Sequence, residues 1–188
     1  MARLMANTLS AYLRCVVEVS VVSVSNLSYA EYQQALPNPT GITLVSCPPF
    51  DGSVVFEVNQ SLLLAMIDRL FGGPGLLGSE SKPLTTLEQT VIQKIVRKAL
   101  ADMVEAWKGV VALEPKMELF ENNPQFLTIA SPGDMVLFVS MEIKLPRASA
   151  FASLCYQHRD VDEAMHRTTD SDAGSLRVRR PTPIPGEM

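Results

Sequence analysis

The sequence predicts an α/β domain of the α+β kind: two related halves about a pseudo-twofold axis, with long helices packed on a shared, mostly antiparallel sheet. Three observations predict it. The segment Asn38-Pro39-Thr40-Gly41-Ile42-Thr43-Leu44-Val45-Ser46 lines up with Asn123-Pro124-Gln125-Phe126-Leu127-Thr128-Ile129-Ala130-Ser131 at an offset of 85 residues. Asn, Pro, Thr and Ser are identical, and Pro48 and Pro132 follow the two copies closely. Leu87, Val91, Ile92, Ile95, Ala99, Leu100, Met103, Val104 and Trp107 recur at steps of three and four, the spacing of one helical stripe. Met135, Leu137, Val139, Met141, Ile143 and Leu145 alternate as one face of a long strand. Two repeats are too few for a solenoid, so a closed shared sheet is expected.

The elements follow in order. Arg3–Arg14 reads as a helix and the β-branched run Val16–Val24 as a strand. Ile42–Ser46 and Val54–Val58 pair around Pro48-Pro49-Phe50-Asp51-Gly52, which is turn chemistry. Asn59 or Ser61 caps Leu62–Phe71, a helix apolar nearly all round. In the second half, Pro83 delays the long helix, Thr85 and Glu88 form its capping box, and Gly109 stops it. Val110–Leu119, Phe126–Ala130, Met135–Leu145 and Phe151–Tyr156 are expected strands. Repeat logic then asks for a closing helix, to which Val161, Ala164 and Met165 could contribute. So few apolar residues offset little ordering entropy, and 157–188 is expected to be a disordered polar tail.

Composition narrows the chemistry. The chain has 188 residues, 47% hydrophobic and 19% charged, with a net charge of −4. One domain fits that length, and no cationic field calls for nucleic acid or anionic lipid. Cys15, Cys47 and Cys155 form no CxxC, zinc spacing or disulfide framework and read as buried small hydrophobes in a reducing compartment. His158 and His166 both lie late, so no histidine triad, cage or acid/base is expected in the core. The uncharged runs Val19–Ala30 and Tyr32–Phe50 are too short or too broken by proline to span a bilayer. Arg14 and Glu18 interrupt any signal-like apolar region.

The feature richest in functional implication is Phe71-Gly72-Gly73-Pro74-Gly75, directly after the apolar helix. One glycine suffices for a C-cap. Three glycines and a proline in four residues make a loop whose backbone another surface can approach closely. It is no phosphate loop, since no Walker lysine-Ser/Thr or G-x-G-x-x-G is present. Asp68-Arg69 before it reads as either a helix-terminal ion pair or an interface contact. Asp102 and Glu105, three apart, read as a solvated face, and Trp107 as core. Arg177, Arg179 and Arg180 form a small basic cluster in the tail.

Five ordered segments carry a resemblance. They are Leu36-Pro37-Asn38-Pro39-Thr40, Ile67-Asp68-Arg69-Leu70-Phe71-Gly72-Gly73-Pro74-Gly75, Thr86-Leu87-Glu88-Gln89, Glu105-Ala106-Trp107-Lys108 and Asn123-Pro124-Gln125-Phe126. Residues 1–156 resemble the middle domain of the flagellar motor switch FliM family, related to the CheC, CheX and FliY phosphatases. The resemblance implies a CheC-like fold in the cytoplasmic C-ring, peripheral to the inner membrane at the flagellar basal body. It implies contacts with neighbouring FliM copies, receipt of phosphorylated CheY and binding of FliG through the GGxG loop. Residue by residue, that loop falls on Gly72, Gly73, Pro74 and Gly75, with Asp68, Arg69 and Phe71 beside it. No cofactor is implied. Family members also carry an N-terminal CheY-binding peptide and a C-terminal SpoA-type domain that binds FliN. Neither pattern is recognisable here, so the resemblance does not extend to FliN docking.

Two function classes follow. The first is a non-enzymatic switch module that sets rotation direction. The second is a CheY phosphatase, for which the CheC relatives imply a Glu-x-x-Asn pair on a helix. No asparagine in this chain has a glutamate three residues before it.

Overall fold

The computed structural model describes residues 1–78 and 84–175. The elements are α1 (Ala2–Leu13), β1 (Glu18–Ser28), α2 (Tyr29–Ala35), β2 (Gly41–Ser46), β3 (Ser53–Val58), α3 (Gln60–Leu70), α4 (Thr86–Trp107), β4 (Lys116–Glu121), a 3-10 turn (Pro124–Phe126), β5 (Met135–Leu145), β6 (Ala148–Gln157) and α5 (His158–Ser175). The six strands form one antiparallel sheet in the order β1-β5-β6-β3-β2-β4.

That order is the pseudo-twofold. Each half runs helix, strand, short turn of helix, two strands, helix. Exchanging β1 with β4, β2 with β5 and β3 with β6 reverses the sheet order onto itself. The axis passes between β3 and β6. The 85-residue alignment sits off this correspondence. β2 answers to β5, and residues 127–130 form no strand. Asn123 caps the Pro124 turn by accepting from the Gln125 N–H at 3.0 Å. The carbonyls beyond it serve side chains instead of a ladder. Leu127 O accepts from Tyr29 Oη and Gln33 Nε2, both at 2.7 Å, and Ile129 O accepts from Gln157 Nε2 at 2.7 Å.

The two sheet faces bury separate cores. On one, α1 (Met5, Leu9, Leu13), α3 (Leu62, Leu63, Met66) and α4 (Ile92, Val96, Ala99, Met103) pack on Val54, Phe56, Met141, Ile143 and Leu154. On the other, Tyr29 and Tyr32 of α2 cover Ile42, Val55, Val136 and Cys155, with Leu127 alongside. β5 therefore feeds both faces. Leu137, Val139, Met141, Ile143 and Leu145 join the larger core as the alternation predicts, while Val136 and Phe138 join the smaller and Met135 is exposed. The α4 stripe holds apart from Leu87, which is exposed in the first turn. Thr85 and Glu88 complete the expected capping box. Cys47 and Cys155 are buried, and burial pushes their thiols up to about 11 and about 12.

Besides the strand expected at Phe126–Ala130, which is a 3-10 turn and irregular chain, three further readings are corrected. The strand placed at Val110–Leu119 begins only at Lys116. Before it, the Val110 and Val111 amides bond back to Trp107 O and the Glu114 amide to Pro48 O, and Pro115 offers no N–H. The helix α2 went unread, although Ser28 and Glu31 make a second capping box. Residues 158–175, expected to be disordered, form α5, the counterpart of α3. Apolar count alone undervalues this segment. Ala164 is buried and Val161 packs partly on the core. The buried Asp160 accepts the Gly52 N–H at 2.9 Å, tying α5 to the β2–β3 turn. Exposed Asp162–His166 and Glu163–Arg167 contacts, at 3.6 and 3.4 Å, lie one turn apart on the outer face. The expected tail beyond 175, with Arg177, Arg179 and Arg180, lies outside the described residues, as does the Pro83 helix-delay reading.

One buried acid sits beside the axis. Glu57 pairs in register with Ser153, and its carboxylate accepts from the Thr40 and Ser153 hydroxyls. Burial raises its pKa above the ordinary 4.5, against those hydrogen bonds. The native state thus holds this proton more tightly than the unfolded chain. Its stabilisation is full below pH 4.5 and is lost as pH rises through the folded value. In urea unfolding at pH 5 and pH 8, Glu57→Gln is expected to reduce the fall in stability between the two. An unchanged fall contradicts this reading.

Candidate functional site

The glycine corner is built from the end of α3. Asn59 caps the helix start, its side chain accepting from the Ser61 N–H at 3.0 Å. Leu62, Leu63, Ala65, Met66 and Ile67 bury the helix against the larger core. That anchoring fixes where the next residues emerge. The Phe71 amide bonds to Ile67 O at 3.1 Å and the Gly73 amide to Asp68 O at 2.8 Å. Gly72 and Gly75 take φ of +91° and +69°, a region that favours glycine.

Asp68 and Arg69 form no ion pair with each other; both brace the loop from below. Asp68 Oδ2 accepts the Gly75 N–H at 2.8 Å. Arg69 Nη1 donates to Gly73 O at 2.9 Å, and Nη2 to Arg14 O at 3.3 Å. Arg14, in the left-handed region at φ 52°, ends α1, so Arg69 joins the loop to that helix terminus. The glycines differ in their surroundings. A Cβ on Gly73 would run into the Asp68 carboxylate, and one on Gly75 into Arg69 Cγ at 2.4 Å. One on Gly72 would meet nothing within 4 Å.

Above the brace the corner is open. Phe71 is 71% exposed, and Gly72 and Pro74 are exposed beside it, while Gly75 is buried beneath. Leu76 and Leu77, 54% and 43% exposed, extend the apolar surface. The sequence reading passed over these two, although a Leu-Leu pair between Gly75 and Gly78 was a usable signal. A ring that stands out from a fixed backbone presents area to a partner at low entropic cost.

The other singled-out residues lie elsewhere. Asp102 and Glu105 do not act together. Asp102 accepts from Thr8 Oγ1 at 2.9 Å, stitching α4 to α1, whereas Glu105 makes an exposed 3.4 Å contact with Lys108. Trp107 packs with Phe50 and Tyr156, centroids 5.6 and 5.7 Å away. Among the described residues, no group of three or more His, Cys, Asp or Glu could hold a metal ion, and no helix is long and apolar enough to cross a membrane.

The fold defines the class first: a duplicated helix-on-sheet domain of CheC-like architecture. It superimposes on a CheC-like superfamily protein from Shewanella with a TM-score of 0.52 at 11% identity, covering 81% of this chain and 92% of that one. A FliY structure from Thermotoga maritima aligns at 0.74 and 15% identity over 89% of each chain. Within that class the match narrows sharply. The chain belongs to the flagellar motor switch protein FliM family, whose model matches residues 1–170. FliM of Borreliella burgdorferi is 38% identical over 162 residues, 86% of this chain and 46% of that protein. FliM of Bacillus subtilis is 34% identical over 157 residues, 84% of this chain and 47% of the relative. The chain thus spans about half the length of the curated relatives it matches. Among solved structures, a chain of the FliG–FliM complex from H. pylori aligns with a TM-score of 0.85 at 27% identity, covering 88% of this chain and 91% of that one. The FliM middle domain from the same organism aligns at 0.80 and 25% identity, over 88% and 90%.

Proposed function

We propose that this chain is a non-enzymatic component of the flagellar motor switch, in the cytoplasmic C-ring at the inner membrane, and that it binds FliG through Gly72–Gly75 with Phe71 at the tip. Residues 1–156 are the FliM middle domain, closed by α5. The observation that carries the reading is the braced corner: Asp68 and Arg69 hold the loop from beneath while Phe71 stands free above it. The solved FliG–FliM complex of a 27% identical relative supports FliG as the occupant. Neighbouring FliM copies and phosphorylated CheY complete the partner set. A regulator sets rotation direction by favouring one ring arrangement, and only to the extent of its differential affinity for the two.

Co-purification with the FliG middle domain tests the assignment: retention of FliG is expected, and its absence at micromolar concentrations contradicts it. The phosphatase alternative has its own test. A chain without Glu-x-x-Asn lacks the group that would orient the attacking water. The half-life of phosphorylated CheY is therefore expected to be unchanged by equimolar protein. A shortening of severalfold restores the enzymatic reading.

A further inference from the structure

The turn between α1 and β1 carries the most exposed valine among the described residues, Val16, at 72%. Its neighbours fix it there. Arg14 ends α1 in the left-handed region with its N–H on Ser10 O, and the Cys15 N–H reaches the same carbonyl at 3.3 Å. Ser10 Oγ accepts the Val17 N–H at 2.9 Å. Val17 is buried in the larger core and Cys15 packs partly on it, so Val16 stands out between two anchored residues. The other half of the pseudo-twofold shows that the fold does not demand this exposure. In the equivalent connection, after α4, Val110 and Val111 pack partly on the core. The Val16 turn is also tied to the glycine corner. Arg69 places Nη1 on Gly73 O and Nη2 on Arg14 O, so the two backbones lie within reach of one planar guanidinium. The groove between them, of about 490 Å³, has Arg14 on one wall and Gly72 on the other.

We propose that Val16 is a second apolar contact for the protein seated on the Gly72–Gly75 loop, so that the docking surface consists of two tied loops. The inference rests on the FliG reading above and deepens it. An interface of standard size covers about 800 Å² per partner, more than one short loop offers, so a partner on the glycine corner extends across the groove mouth beside it. On the far side it meets Val16. An apolar side chain on a backbone already held by Ser10 and Arg69 loses little freedom on docking. The partner surface that fits has two apolar patches, one for Phe71 and one for Val16. Between them lies a polar strip facing Tyr12, Arg14 and Arg69 in the groove.

The test is calorimetric titration of the full chain with the FliG middle domain. Val16→Ser and Val16→Asp are each expected to weaken binding roughly tenfold, with melting curves unchanged because the side chain is exposed. Val16→Ile should bind as the parent does. Val24→Asp makes the same charge change at another exposed valine, towards the far end of β1, and should leave binding unchanged. Hydrogen exchange on the parent chain gives a readout free of substitution: FliG should slow the amides of residues 14–17 along with those of 71–77. If both Val16 variants bind like the parent while Phe71→Ala loses binding, the second contact is wrong and the loop assignment stands. Unaltered exchange at 14–17 while 71–77 slows overturns it as well. So does equal weakening by Val24→Asp, as a mere net-charge effect, or a lowered melting temperature in both Val16 variants, as a structural role. If Phe71→Ala binds normally, the loop assignment itself fails.

Discussion

Phe71→Ala is expected to weaken FliG binding by at least about 2 kcal/mol, roughly thirtyfold, with no measurable change in thermal stability. The two halves of that expectation have different causes. The ring is 71% exposed, so its removal opens no cavity in the fold, and substitutions at such sites stay within about 0.5 kcal/mol. In a complex the same ring becomes the largest apolar group at the centre of the surface formed with Pro74, Leu76 and Leu77. Interface energy concentrates in such aromatic anchors. Titration calorimetry and a melting curve on the same sample check both halves. Normal binding, or a large fall in melting temperature, contradicts the account.

Gly75→Val should cost both stability and binding, and for a different reason. At φ +69° a β-branched residue is strained by about 1–3 kcal/mol. Its Cβ would also lie 2.4 Å from Arg69 Cγ and 3.4 Å from Ala65 O. Arg69 could yield only by giving up Gly73 O and Arg14 O, which dismantles the brace. Gly72→Ala separates the two effects. Its φ of +91° imposes strain, but its Cβ meets nothing, so the brace survives. FliG binding is expected to be lost in Gly75→Val and largely kept in Gly72→Ala, with urea unfolding showing the larger destabilisation for valine. Equal behaviour of the two variants would mean that the brace does not control the loop.

Much of this was legible in the chain. The capping box of Thr85 and Glu88, the stripe of α4 and the alternation of β5 are local signals that tertiary packing reinforces. The glycine corner was legible as an excess over what a cap needs. The roles of Asp68 and Arg69 were not, because a side chain four to seven residues from its backbone partner looks the same in sequence whether it faces solvent or turns inward. The segment after Asn123 misled for a related reason. Its apolar alternation matches a strand, but Pro124 turns it and α2 takes its carbonyls, a contact more than ninety residues distant. The helix α5 was undervalued because part of its attachment is polar. Asp160 holds it to Gly52, and an inventory of apolar residues does not register a hydrogen bond.

The central claim is that a partner docks on the braced corner, and amide hydrogen exchange tests it most directly. Adding the FliG middle domain is predicted to slow exchange across residues 71–77 while leaving the amides around Phe126, an equally exposed aromatic on the other sheet face, unchanged. Protection around Phe126 with 71–77 unaltered would place the interface on the wrong side of the molecule for everything proposed here.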